Sequence, residues 1–193
     1  MSIDRIKKSL QESAAVKIKA AEILSAKIEQ VSRLLAETLK SDNKALFCGN
    51  GGSAADSQHL ATELVVRLSG KINRRALPAI ALTTDTSLLT ACSNDFGFEN
   101  VFSRQIEALA TSQDLLFAIS TSGNSANIIK AVESAKTVGL ITVGFLGGNG
   151  GRLANLVDYA LIVPSDNTQH IQECHIAIGH IVIGEVEQLL GFE

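Results

Sequence analysis

Ala45-Leu46-Phe47-Cys48-Gly49-Asn50-Gly51-Gly52-Ser53-Ala54 carries a short, unbroken apolar run into a glycine-rich turn, and helical spacing follows from Ala54 onward. The same succession of run, turn and helical stretch recurs along the chain. Further runs are Ala79-Ile80-Ala81-Leu82, Leu115-Leu116-Phe117-Ala118-Ile119, Leu140-Ile141-Thr142-Val143-Gly144-Phe145 and Ala160-Leu161-Ile162-Val163. None of them alternates apolar with polar residues, so each reads as a strand covered on both faces. Helical spacing over residues 54–68, 100–110, 125–138 and 169–190 supplies the crossovers that make neighbouring strands parallel. The expected fold class is α/β: a doubly wound, five-stranded parallel sheet flanked by helices. Open sheets of this kind hold ligands at the carboxyl ends of their strands, so function is expected in the loops after each run.

Ahead of the first run, residues 2–41 contain neither Gly nor Pro, and Ile6, Leu10, Ala14, Ile18, Ile23, Leu24, Ile28, Val31, Leu35 and Leu39 recur at helical spacing. Two amphipathic helices, or one long broken helix, are expected there. Forty residues of helix exceed what a crossover needs, so residues 1–41 read as an oligomerisation segment of a single domain spanning 1–193.

The 193 residues carry 17 Lys+Arg against 20 Asp+Glu, a formal charge of -3 with no basic block. That excludes the electrostatic footprint of a protein binding nucleic acid or an anionic membrane surface. No apolar run reaches the roughly 18 residues of a membrane span, and the amino terminus lacks the apolar core of a secretory signal. Cys48, Cys92 and Cys174 are odd in number and widely spaced, forming neither a disulfide framework nor a zinc-binding CxxC pattern. A cytoplasmic protein with reduced thiols is expected. Trp is absent, so sugar recognition by stacking on an indole is unavailable.

Three places carry chemistry. In the first, Gly49 to Ala54, glycines permit close backbone approach and the amides of a helix start face an anion. The loop also matches the loose GxGxx(G/A) dinucleotide pattern, yet residues 69–75 supply no acid for a ribose. Its plainer reading is a tight turn with Ser53 as helix cap. In the second, Ser120-Thr121-Ser122-Gly123-Asn124-Ser125, four hydroxyls at a helix start can hold a phosphate without Lys or Arg. A cap at Ser125 alone would need only one of them. The third pairs His59 with Glu63 at i and i+4 on one helix face, a spacing that suits a divalent metal or an acid/base pair as well as an ordinary surface contact. Three of the four histidines, His170, His175 and His180, fall in the last helical stretch.

Taken with Asn94-Asp95-Phe96-Gly97-Phe98 and the segment Ile171-Gln172-Glu173-Cys174-His175 running to His180, these motifs resemble the sugar isomerase (SIS) family, and within it the phosphoheptose isomerases. The resemblance implies interconversion of sedoheptulose 7-phosphate and D-glycero-D-manno-heptose 7-phosphate, an early step towards the heptoses of bacterial lipopolysaccharide. It implies a cytoplasmic homotetramer with one divalent metal, usually Zn2+, in sites built at subunit contacts. Carried over by motif, His59, Glu63, Gln172 and His180 are the expected metal ligands, with Glu63 and His180 also as base and acid. Asn50, Gly51, Gly52, Glu63, Asn94, Asp95, Ser120, Thr121, Ser122, Ser125 and Gln172 are the expected substrate contacts. Gln172 and His180 stand eight residues apart, roughly 12 Å along a helix. Either the helix starts after Gln172, or ligands come from two chains. A non-catalytic branch, the DnaA initiator-associating protein, is similar in fold but lacks the Glu and the final His, and it supplies the alternative reading as a regulator.

Overall fold

The computed structural model describes residues 2–192. Its sheet has the five expected strands, β1 (Ala45–Gly49), β2 (Ala79–Ala81), β3 (Leu115–Ser120), β4 (Ile141–Gly147) and β5 (Tyr159–Val163), all parallel in the order β2-β1-β3-β4-β5. The helices are α1 (Ser2–Lys40), α2 (Gly52–Val65), α3 (Thr86–Phe96), α4 (Ser103–Leu109), α5 (Ala126–Val138) and α6 (Thr168–Leu189).

The runs lack alternation because both faces of the sheet are covered. Phe47, Phe117, Ile119, Val143, Phe145 and Leu161 face a layer made by α1, α2 and α6. Leu46, Cys48, Leu116, Ala118 and Leu146 face the layer of α4 and α5. In the first layer the Phe47 and Phe117 rings stack at 4.8 Å, and Phe145 meets Phe117 edge-on at 5.7 Å. These are favourable arrangements of the ring quadrupoles. All three cysteines are buried and unpaired.

From β1 the chain moves outward to β2 and then crosses back to β3 on the other side, so the crevice between β1 and β3 is the topological switch point. Across it the Asn50 and Asn127 amides exchange two hydrogen bonds of 2.8 Å.

The amino-terminal segment is one unbroken helix of 39 residues, which corrects the expectation of two helices or a broken one. With no Gly or Pro in it, nothing interrupts the ladder. Ala20, Leu24, Ile28, Val31, Leu35 and Leu39 pack into the core beside α6, whereas Ile3, Ile6 and Leu10 stay exposed. Helix α3 was not legible in the sequence: Asp85 caps it by accepting from the Leu88 amide at 2.9 Å, and Cys92 is its only buried residue. With so little of it buried it has no apolar periodicity to read.

Among the described residues no helix is long and apolar enough to cross a membrane.

Candidate active site and metal centre

Both loops that leave the switch point open into helices without a side-chain cap. Gly51, not Ser53, stands at the cap position of α2; Ser53 lies inside the helix, buried. Ser125 occupies the cap position of α5 but makes no cap hydrogen bond; its hydroxyl lies 3.3 Å from that of Ser120. The plain capping readings of both loops therefore fail.

The hydroxyl loop is braced from behind. Gly123 adopts φ +64°, and a Cβ there would fall 1.9 Å from the Gly150 carbonyl oxygen, so only glycine fits. The Leu153 amide donates to the Gly123 carbonyl at 3.0 Å, and Asn124 accepts from the Arg152 amide at 3.0 Å while donating to the Ser122 carbonyl at 2.9 Å. With backbone and amide so committed, Ser122 and Thr121 line a cleft of about 360 Å³ with Gly148, Asn149 and Asp166.

Helices α2 and α6 carry the second half of the site. His59 Nε2 lies 2.8 Å from His180 Nε2 and 3.3 Å from Glu63 Oε1, and the three groups offer ligand atoms all within 4.8 Å of one another. The i, i+4 spacing on α2 is local, but His180 arrives from 121 residues away. Two imidazoles and a carboxylate are the donor set of an open, catalytic-type zinc site. Ligands bonded at about 2.0–2.1 Å in a tetrahedron stand about 3.3 Å apart, the separation of His59 from Glu63, while the two imidazoles stand closer at 2.8 Å. These residues fit a divalent metal.

Gln172 and Asp56 form the floor. Helix α6 begins at Thr168, capped by Asn167, which removes the alternative that the helix starts after Gln172. The Gln172 side chain lies over Gly52 and donates from Nε2 to Asp56 Oδ1 at 2.6 Å. With its nitrogen engaged, Oε1 is the atom left to accept or to ligate. Asp56 is 4% exposed, its Oδ2 has no hydrogen-bond partner among the described residues, and burial pushes its carboxyl above the usual range against the opposing pull of Gln172 and His59. The sequence reading missed Asp56, although its place one turn before His59, on the face shared with Glu63, is a signal that spacing contains.

Other expected residues sit as follows. Asn50 spends its amide on Asn127, and Asn94 and Asp95 lie exposed at the end of α3, bonded to each other at 2.8 Å. No hydrogen bond joins that pair to the remaining site residues among those described. His175 is a core residue: fully buried, it shares a hydrogen bond of 2.9 Å with the Leu146 carbonyl, and burial pushes its imidazole down to about 4. Its charge state is therefore neutral at the pH where a site beside it would work.

Residues 10–147 match the family model of the SIS domain. Over 188 residues the chain is 50% identical to the phosphoheptose isomerase of Aquifex aeolicus, covering 97% of each. It is 54% identical over 170 residues to that of Akkermansia muciniphila, covering 88% of this chain and 89% of the relative. The solved phosphoheptose isomerase of Neisseria gonorrhoeae superposes with a TM-score of 0.91 at 41% identity, over 97% of this chain and 100% of that one.

Proposed function

The chain belongs to the phosphoheptose isomerases of the SIS-domain family and is an isomerase, and from that membership we propose that it interconverts sedoheptulose 7-phosphate and D-glycero-D-manno-heptose 7-phosphate. The product would enter the heptoses of lipopolysaccharide. The observation that carries this reading is the convergence of His59, Glu63 and His180 on helices that leave the same sheet edge as the hydroxyl loop. The alternative, a non-catalytic regulator, rested on a branch lacking the Glu and the His. This chain has both, in contact with His59.

An aldose-ketose isomerisation takes a proton from the carbon beside a carbonyl and returns it to the neighbouring carbon, passing through an enediol, while the two oxygens exchange protons. Glu63 accepts and returns the carbon proton. His180, an imidazole able both to give and to take a proton, serves the oxygens. Ser120, Thr121, Ser122 and Ser125 hold the phosphate through hydroxyls and the amides of the α5 start. Asn50, Gly51, Gly52, Asn94, Asp95 and Gln172 orient the sugar chain. Zinc held by His59, Glu63 and His180, with the Gln172 oxygen of a neighbouring copy as the fourth ligand because this chain's own Gln172 stands about two turns away on α6, would polarise the carbonyl. A carboxylate has two oxygens, so metal contact through one leaves the other for the proton.

Metal-replete protein is expected to convert sedoheptulose 7-phosphate, to lose that activity on chelation and to regain it with Zn2+. Absence of turnover in the replete protein overturns the reading. For the phosphate loop, Ser122→Ala removes a hydrogen bond to a charged group, a loss of about 1.5–3 kcal/mol in binding. KM is expected to rise about tenfold with kcat little changed, and an unchanged KM places the phosphate elsewhere.

We also place the protein in the cytoplasm as a homo-oligomer, a tetramer, with residues 1–41 as its assembly segment. Ile3, Ile6 and Leu10 on the uncovered end of α1, and an apolar groove of about 310 Å³ between α1 and α6 lined by Ala20, Ile28, Ala177 and Ile181, support this. Sedimentation at assay concentration checks it: a fully active monomer is the contrary result.

A further inference from the structure

Helices α2 and α6 run side by side in the same direction, touching at several levels. Gln172 meets Asp56, His180 meets His59, and beyond them Glu187 is tied to the end of α2 through Arg74. Directly beside His180 stands Gly179, packed against Leu60, the neighbour of His59. A Cβ at Gly179 would lie 2.4 Å from Leu60 Cδ2 and 2.7 Å from Cδ1, contacts that no unshifted structure tolerates.

Leu60 has little room to yield. It is 1% exposed and, together with Gly179 itself, lines a cavity of about 10 Å³ closed by Leu35, Phe47, Phe117, Phe145 and Val182, room for about one water-sized group and no more. Nor can the helices part freely further along: the Arg74 side chain, itself fully buried, bonds Glu187 of α6 at 2.6 Å and the carbonyls of Glu63 and Leu64 at 2.7 and 2.8 Å. A methyl group added at residue 179 can move Leu60 only as far as that small space allows, and the remainder is taken up as a change of helix spacing at the level of His59 and His180.

We propose that Gly179 is a positioning residue: its missing side chain, closed against Leu60, sets the separation of α2 and α6 at which His59, Glu63 and His180 converge on one ion. The proposal rests on the metal reading of that cluster. Residues that orient ligands without touching the metal typically change its affinity about 10–100-fold when altered.

The test is zinc affinity of the whole protein, read by competition with a chromophoric chelator, beside circular dichroism and thermal unfolding. Gly179→Ala is expected to weaken zinc binding about tenfold or more. Leu60→Val deletes both clashing Cδ atoms and leaves only a contact at the level of Cγ, 3.1 Å away, so the double variant Gly179→Ala/Leu60→Val is expected to recover much of the lost affinity. Leu60→Val alone is expected to bind nearly as the parent does. A loss of helical order would not be repaired by trimming a core leucine, so recovery separates spacing from general stability. The inference is overturned if Gly179→Ala binds zinc like the parent, or if the folded double variant stays as weak as the single one. If the parent protein itself binds no zinc, it is the metal reading that falls, a result seen before any variant is made.

Discussion

Glu63→Gln is expected to bind substrate yet lose the chemical step by several orders of magnitude. The amide keeps the shape and one oxygen ligand but cannot accept a proton from carbon. The Glu63 side chain is 17% exposed against 48% for His59, so the change removes a carboxylate from where little water can replace it. Metal affinity should fall less steeply, because His59, His180 and Gln172 remain. The measurement is exchange of the substrate's C1 and C2 hydrogens with deuterated water, followed by NMR, with zinc content determined on the same sample. Near-parental exchange in the variant removes Glu63 as the base. Exchange that disappears only in step with zinc, and returns when metal is added, makes Glu63 a ligand first and shifts the proton transfer to His180.

The largest loss of stability is expected at Arg74. Its side chain is fully buried, the Glu187 side chain is 2% exposed, and the guanidinium serves one carboxylate and the carbonyls of Glu63, Leu64 and Arg75. Arg74→Ala leaves Glu187 buried without a counter-charge and α2 without the donors at its last turn, a cost of about 3–5 kcal/mol. That is a large part of a total of about 5–15 kcal/mol for an ordinary domain. Urea unfolding should show the midpoint falling accordingly. Arg74→Lys should recover little, since an ammonium cannot span those acceptors as a planar fork does. A loss below about 1 kcal/mol would mean that water already solvates the pair.

The strands, the helical amino terminus and the two loops were legible in the sequence because each is a local matter. Unbroken apolar runs such as residues 115–119 report burial on both faces, and Gly or Ser clusters mark where a strand must turn. The His59–Glu63 pair was legible too, as helix geometry alone makes i and i+4 neighbours. Joining of separate segments was not legible in pattern or spacing, and only the family resemblance implied that His180 meets His59. The order β2-β1-β3-β4-β5 places Asn50 opposite Asn127, and the packing of α6 on α2 brings His180 to His59 and Gln172 to Asp56. Periodicity tells which face of a helix is covered, but not which helix covers it or at what distance. That distance depends on a glycine at residue 179 and a buried arginine at residue 74, whose roles exist only once α2, α6 and the segment between α2 and β2 have come together. Likewise only the tertiary structure shows that Ser125 turns its hydroxyl to Ser120 instead of capping its own helix. Both dispositions are open to a serine at a helix start, and the neighbours decide between them.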